Sequence, residues 1–191
     1  MSGVTDEIEV KFKVDDFAAV RRALRRAGAR HVATVVQTDT YYDTPGRTLL
    51  GRDRGLRIRE VRCVRPPAGG TDTRPLLTAK GPRRGRFAKF RREVQTHLDD
   101  AKALAEILRF LGLEASVTIQ KRRSTYTLGS SLVELDELPV IGKFVEIESP
   151  SRSALESACR RLGLEGNRIT DHYVALLGRA VGGFNRRRHR S

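Results

Sequence analysis

Tryptophan is missing from this 191-residue sequence, and 4 tyrosines and 7 phenylalanines make up all of its aromatic rings. A surface that stacks unpaired nucleobases needs aromatic platforms, so this shortage argues against a single-strand nucleic-acid module. Cysteine is almost as scarce. Cys63 and Cys159 sit in unrelated contexts without ligand-like spacing, which favours reduced structural thiols over a disulfide or a zinc site. No apolar run reaches the about 18 residues of a membrane-spanning helix. The first residues, Met1 to Asp6, lack the apolar stretch of a signal peptide, so a cytoplasmic location with no membrane partner is expected. A Gly-x-x-x-x-Gly-Lys-Ser/Thr loop is absent, and the glycines at Gly81 and Gly85 are therefore not a nucleotide loop of that kind. His31, His97, His172 and His189 show no metal-binding or nucleophile-activating spacing and are read as surface or packing residues.

What the chain has in excess is arginine. Lysine and arginine total 37 against 23 aspartates and glutamates, a net charge of +14, and only 7 of the basic residues are lysines. The charge points to an anionic partner, either nucleic acid, an acidic surface or a phosphorylated small molecule, without choosing among them. A hydrophobic fraction of 39% over this length suits one domain that buries its own core.

Along the chain, strand patterns alternate with short amphipathic segments. Residues 7–14, 30–43, 56–65, 74–80, 87–97, 115–128, 131–137 and 143–149 read as strands. Helices are expected at 16–28, at 99–112 from the Asp99-Asp100 cap to Gly112, and at 151–162 and 170–181. A basic tail at 182–191 is expected to be disordered. Gly81 to Arg86 is either a mobile basic flap or a plain hairpin loop. Successive strands on short turns favour antiparallel pairing, and eight of them can close into a barrel with room inside for one small ligand. The predicted class is α+β, a single eight-stranded antiparallel closed β-barrel with helices packed outside.

Strand side chains alternate between faces, and seven of these strands can be phased with apolar residues on one face and ionisable ones on the other. The acids are Glu7, Glu9, Glu93, Glu134, Asp136, Glu146 and Glu148, and the bases are Lys11, Arg57, Arg59, Lys80, Arg91, Lys121 and Arg123. In an open sheet these faces meet water. In a closed barrel they point into a lumen, where burying even one unpaired ion costs several kcal/mol. An anionic ligand together with hard divalent cations satisfies both signs. Pairs spaced i, i+2, such as Glu7/Glu9 and Glu146/Glu148, place two oxygen donors on one face about 7 Å apart.

Glu7-Ile8-Glu9-Val10-Lys11 on an N-terminal strand resembles the signature of the CYTH superfamily, the triphosphate tunnel metalloenzymes. So do Gln37 to Pro45, Leu56-Arg57-Ile58-Arg59, Leu77 to Pro82, Arg91-Arg92-Glu93, Lys121 to Tyr126, and Leu135 to Pro139 leading to Gly142 to Glu148, all in family order. The resemblance implies a tunnel that binds a triphosphate and requires Mg²⁺ or Mn²⁺. It implies Glu7, Glu9, Asp136, Glu146 and Glu148 as metal or water ligands. Lys11, Arg57, Arg59, Lys80, Arg91, Lys121 and Arg123 become the triphosphate set, with Lys11, Lys80, Arg123 and Glu146 at the reacting centre. Gln37 to Pro45, Arg52 to Gly55 and Val117 to Glu148 look most like class IV adenylate cyclases, which convert ATP to cyclic AMP and pyrophosphate. Hydrolases of tripolyphosphate, thiamine triphosphate or nucleoside triphosphates share the same charged set. Asp171-His172 departs from the family's Ser-Tyr-x-x-Leu-Leu segment, so Tyr173 is read as a lid or packing residue.

A nucleic-acid or polyphosphate binding module is the reading from another class. It accounts for the arginines of 21–26 and 186–190 but not for paired carboxylates that repel phosphate. The acid pairs could also simply neutralise the inward bases. Oligomeric state is open, a homodimer included.

Overall fold

The computed structural model describes residues 3–65, 70, 72–83, 89–166 and 168–188, with side chains described between 8 and 180 apart from 89–90. Its strands are β1 (Gly3–Val14), β2 (Arg30–Asp43), β3 (Gly55–Arg65), β4 (Leu76–Lys80), β5 (Lys89–His97), β6 (Glu114–Leu128), β7 (Ser131–Leu138) and β8 (Gly142–Ser149). They form a closed barrel in the order β1-β5-β4-β3-β2-β6-β7-β8, with β8 returning to β1. Every neighbouring pair is antiparallel. Closure removes the exposed edges that eight alternating strands would otherwise present.

The helices are α1 (Ala18–Arg26), α2 (Thr48–Gly51), α3 (Ala101–Phe110), α4 (Arg152–Leu162) and α5 (Tyr173–Arg188). Their starts follow local chemistry. Asp100 accepts hydrogen bonds from the Lys102 and Ala103 amides at 2.8 and 2.9 Å, and Ser151 accepts from Ala154 at 3.2 Å, satisfying amides that have no helical partner. α4 stops at Gly163, whose φ of +67° is left-handed.

α1 and α4 cover one side of the barrel. Ile8, Val10 and Phe12 of β1, Val133 and Leu135 of β7, and Val145 and Ile147 of β8 pack beneath Val20 and Leu24 of α1 and Leu155, Ala158 and Leu162 of α4. The alternate residues of the same strands must then face the lumen, which is where the charges go.

Two expectations about the chain's local structure change. The four-residue α2 lies in what the sequence presents as a turn and loop after Asp43. α5 runs to Arg188 where the pattern ends it at Val181, so part of the tail expected to be disordered is helical. Arginine is a good helix former, and a glycine pair inside a helix costs only about 1 kcal/mol per residue. Residues 189–191 lie outside the described residues, as do Arg84 to Arg86 of the predicted flap. No helix of the described chain is long and apolar enough to cross a membrane.

Candidate active site

Strand alternation and register build two facing charged walls. On the first, β1, β8, β7 and β6 carry Lys11, Glu146, Asp136, Lys121 and Arg123. Lys11 pairs with Glu146 at 2.9 Å, and Arg123 reaches Glu146 at 2.5 Å as well as Asp136 and Glu134. Lys121 donates to Asp136 at 2.8 Å. Burial opposes the Glu146 charge, but Lys11 and Arg123 outweigh it and hold the carboxyl well below its usual range. At Lys121 it is the charged form that is disfavoured: burial and the nearby Arg123 charge lower its pKa.

The second wall belongs to β2, β3, β4 and β5. Asp39 accepts two hydrogen bonds from Arg59, at 2.6 and 2.8 Å, and one from Arg57 at 3.3 Å. Despite burial, these guanidiniums keep Asp39 ionised far below the ordinary carboxylate range. Lys80 pairs with Glu93. Arg91 donates to the Gly81 carbonyl at 2.6 Å and the Asp53 carbonyl at 2.9 Å. Asp39 is the site residue the sequence reading lacks. Its signal is the phase Gln37-Asp39-Tyr41, hidden because Thr38, Thr40 and Tyr42 make the opposite face polar too.

Between the walls lies a cavity of about 250 Å³. Lys11, Arg57, Arg59, Lys80, Arg91, Lys121 and Arg123 all line it, together with Glu9, Glu146 and Glu148. Ten lysines and arginines and seven aspartates and glutamates line the cavity in total, leaving it positive. Arg57 also holds one buried N–H, at Nε, with no acceptor among the described residues. A buried donor of this kind is costly unless something accepts from it, and an anion in the cavity would. Asp136 is not part of the lining. It is wholly buried behind Lys121, Arg123 and Tyr173, all of which donate to it. The predicted metal ligand is thus placed where it braces cations. The Glu7 side chain lies outside the described ones, and its backbone registers with Arg91.

One end of the lumen is closed by the segment leading into α5. The Ile169 amide donates to the Lys11 carbonyl at 2.7 Å, and Arg83 ties Asp53 to the Thr170 carbonyl, at 2.9 and 2.8 Å. His172, Tyr173 and Val174 then line the cavity, above a plug of Ile119, Leu138, Ile141 and Phe144. His172 is half-buried, and burial plus the charges of Arg83 and Arg91 bring its pKa down to about 4. It is a neutral lining group rather than the surface or packing residue expected.

The CYTH domain family model matches residues 5–165. The chain belongs to the CYTH family. Adenylate cyclase CyaB of Aeromonas hydrophila is 30% identical to this CYTH chain over 173 residues, 85% of this chain and 83% of that protein. The structure of PH1819 from Pyrococcus horikoshii superposes with a TM-score of 0.77 at 27% identity, covering 90% of this chain and 97% of that one. HpAC1 of Hippeastrum, which has a dominant triphosphatase activity, superposes with a TM-score of 0.66 at 16% identity, covering 93% and 96%, a likeness of fold alone.

The divalent cation expected of a CYTH tunnel needs carboxylate oxygens that face the cavity. Asp136 lies behind the lining and Glu146 is bridged by Lys11 and Arg123, while Glu134 pairs with Arg123 and still lines the cavity. At Glu148, burial and the neighbouring carboxylates of Glu134, Glu9 and Glu93 push the carboxyl up to about 7, which marks a local crowding of acids. Glu9 and Glu148 are direct cross-strand partners, a placement that brings Cβ atoms within about 4.5–5.5 Å. Among the described residues no three acids are already gathered around one point. The donor chemistry fits a hard divalent ion, with Glu9, Glu134 and Glu148 as the groups that would hold it.

Proposed function

We propose that this CYTH protein is a divalent-metal-dependent enzyme that binds the triphosphate of ATP in its barrel and forms cyclic AMP and pyrophosphate. The observation that carries the reading is the convergence of seven cations from five strands, β1, β3, β4, β5 and β6, on one positively charged cavity. Nucleotidyl transfer needs mainly positioning and charge neutralisation. Lys11, Arg57, Arg59, Lys80, Arg91, Lys121 and Arg123 bind phosphate oxygens. The ribose 3′-hydroxyl attacks the α-phosphorus, the bond to the bridging oxygen breaks, pyrophosphate leaves and the hydroxyl proton passes to solvent. A divalent ion held by Glu9, Glu134 and Glu148 would supply Lewis-acid neutralisation of the phosphate charge. Tyr41, Leu50, Leu56 and Val174 also line the cavity and offer the nucleoside an apolar seat.

The reading draws support from the relation to adenylate cyclase CyaB. Hydrolysis of a triphosphate is the second reading, favoured by the dominance of charge in the lining and by the activity of HpAC1. Incubation with ATP or tripolyphosphate plus Mg²⁺ or Mn²⁺, followed by product analysis, separates them. Cyclic AMP with pyrophosphate is expected from ATP; orthophosphate would favour hydrolysis, and no product from either substrate would remove the enzyme reading.

A further inference from the structure

Tyr173 opens α5, beyond the residues matched by the CYTH family model. It is 7% exposed and still lines the cavity. Lys11 Nζ lies 3.8 Å from the centre of its ring and Lys121 Nζ 5.1 Å. Its hydroxyl donates to Asp136 Oδ2 at 3.0 Å, the same oxygen that receives Lys121 Nζ at 2.8 Å. Phe144 meets the ring edge-on, with 5.2 Å between centroids and 70° between planes. The strap before it is fastened to the lysine it serves: Ile169 N bonds the Lys11 carbonyl, and Lys11 Nζ donates to the Asp171 carbonyl at 3.5 Å.

Two ammonium groups in one cavity repel, and each also has a carboxylate, Glu146 or Asp136, to draw it toward the wall. An aromatic face attracts cations through its quadrupole, so a ring within reach of both ammoniums restrains them. The hydroxyl fixes the tilt of that ring by its bond to Asp136, and Phe144 fixes its height.

We propose that Tyr173 is a positioning residue that holds Lys11 and Lys121 in register for adjacent phosphates of the substrate, so that the segment after the barrel completes the triphosphate site. This rests on the triphosphate reading above. The competing role is plain packing in the plug with Ile119, Leu138 and Ile141, which Leu can also fill.

The test is calorimetric binding of tripolyphosphate with Mg²⁺, which does not depend on turnover, for wild type, Tyr173→Phe and Tyr173→Leu. Measurements are made well below each melting temperature, with folding checked by circular dichroism. Loss of the ring face in Tyr173→Leu is expected to weaken binding about tenfold or more. Tyr173→Phe keeps the ring and restores most of the affinity, remaining about threefold weak for want of the Asp136 bond. In turnover assays the loss is expected in KM, with kcat within about twofold. Wild-type affinity in a folded Tyr173→Leu overturns this inference alone. A wild type that does not bind tripolyphosphate removes the triphosphate reading and this inference with it. Should Tyr173→Leu fail to fold, unchanged affinity in Tyr173→Phe overturns it instead.

Discussion

At the scale of single residues, Glu148 is the group whose charge is least settled. Its carboxyl is pushed from an ordinary 4.5 up to about 7 by burial first and then by Glu134, Glu9 and Glu93. An acid with a raised folded pKa binds more protons folded than unfolded, so stability falls as pH rises between the two values and is flat outside them. Without metal, wild type should therefore lose stability from about pH 4.5 to about pH 7. Glu148→Gln mimics the protonated acid and removes this loss. Thermal unfolding in a chelator should give similar melting temperatures for the two proteins at pH 5 and a higher one for the variant at pH 8. A difference independent of pH would contradict the crowded acid wall. The residue scale is also where the sequence was least legible. Asp39 was hidden by its polar neighbours, and nothing in the spacing of Asp136 shows that Lys121, Arg123 and Tyr173 enclose it.

At the scale of elements, alternation made seven strands readable because a closed barrel turns their charged residues inward, while β2, polar on both faces, was readable from its β-branched and aromatic residues. α2 was not readable, since one helical turn has no periodicity to detect, and it exists through tertiary bonding. The Asp43 carboxylate accepts from the amides of Thr44, Leu49 and Leu50 at 2.8, 2.9 and 2.9 Å. The loop so held contains two non-glycine residues with left-handed backbones, Arg47 at φ +53° and Asp53 at φ +52°, a conformation that ordinary side chains seldom adopt. It delivers Leu50 and Arg54 to the cavity and the Asp53 carbonyl to Arg91. Asp43→Ala strands three amides and should cost about 1–3 kcal/mol, read by chemical denaturation. If the loop seats Arg91, the same variant raises KM for the triphosphate several-fold. A destabilised protein with wild-type KM would confine Asp43 to the fold. The docking of residues 168–174 was equally unreadable, because it depends on Lys11 and Arg83, more than 80 residues away in sequence.

At the scale of the whole molecule, the cavity is a lattice of ion pairs that a ligand must rearrange. Lys11, Arg57, Arg59, Lys80, Lys121 and Arg123 each bond a carboxylate. In the proposed function a triphosphate would recruit these cations and thereby strip Glu146, Glu93 and their neighbours of their partners, and an abandoned buried charge is costly. A divalent cation among Glu9, Glu134 and Glu148 would offset that loss, while the departing cations would free oxygens for it. Each ligand would then prepare the site of the other, so their binding should be coupled, and by linkage the coupling is reciprocal. Calorimetry corrected for the complex that Mn²⁺ and tripolyphosphate form in solution should show each binding about tenfold or more tightly in the presence of the other. The acid wall decides whether this coupling belongs to the protein. In Glu9→Gln/Glu148→Gln the metal-free affinity for tripolyphosphate should hold or rise, because two repelling carboxylates are gone, while the gain from Mn²⁺ disappears. A gain that survives in the double variant would mean that the metal acts by complexing the phosphate alone and that the acids at this end of the barrel serve only to balance its arginines.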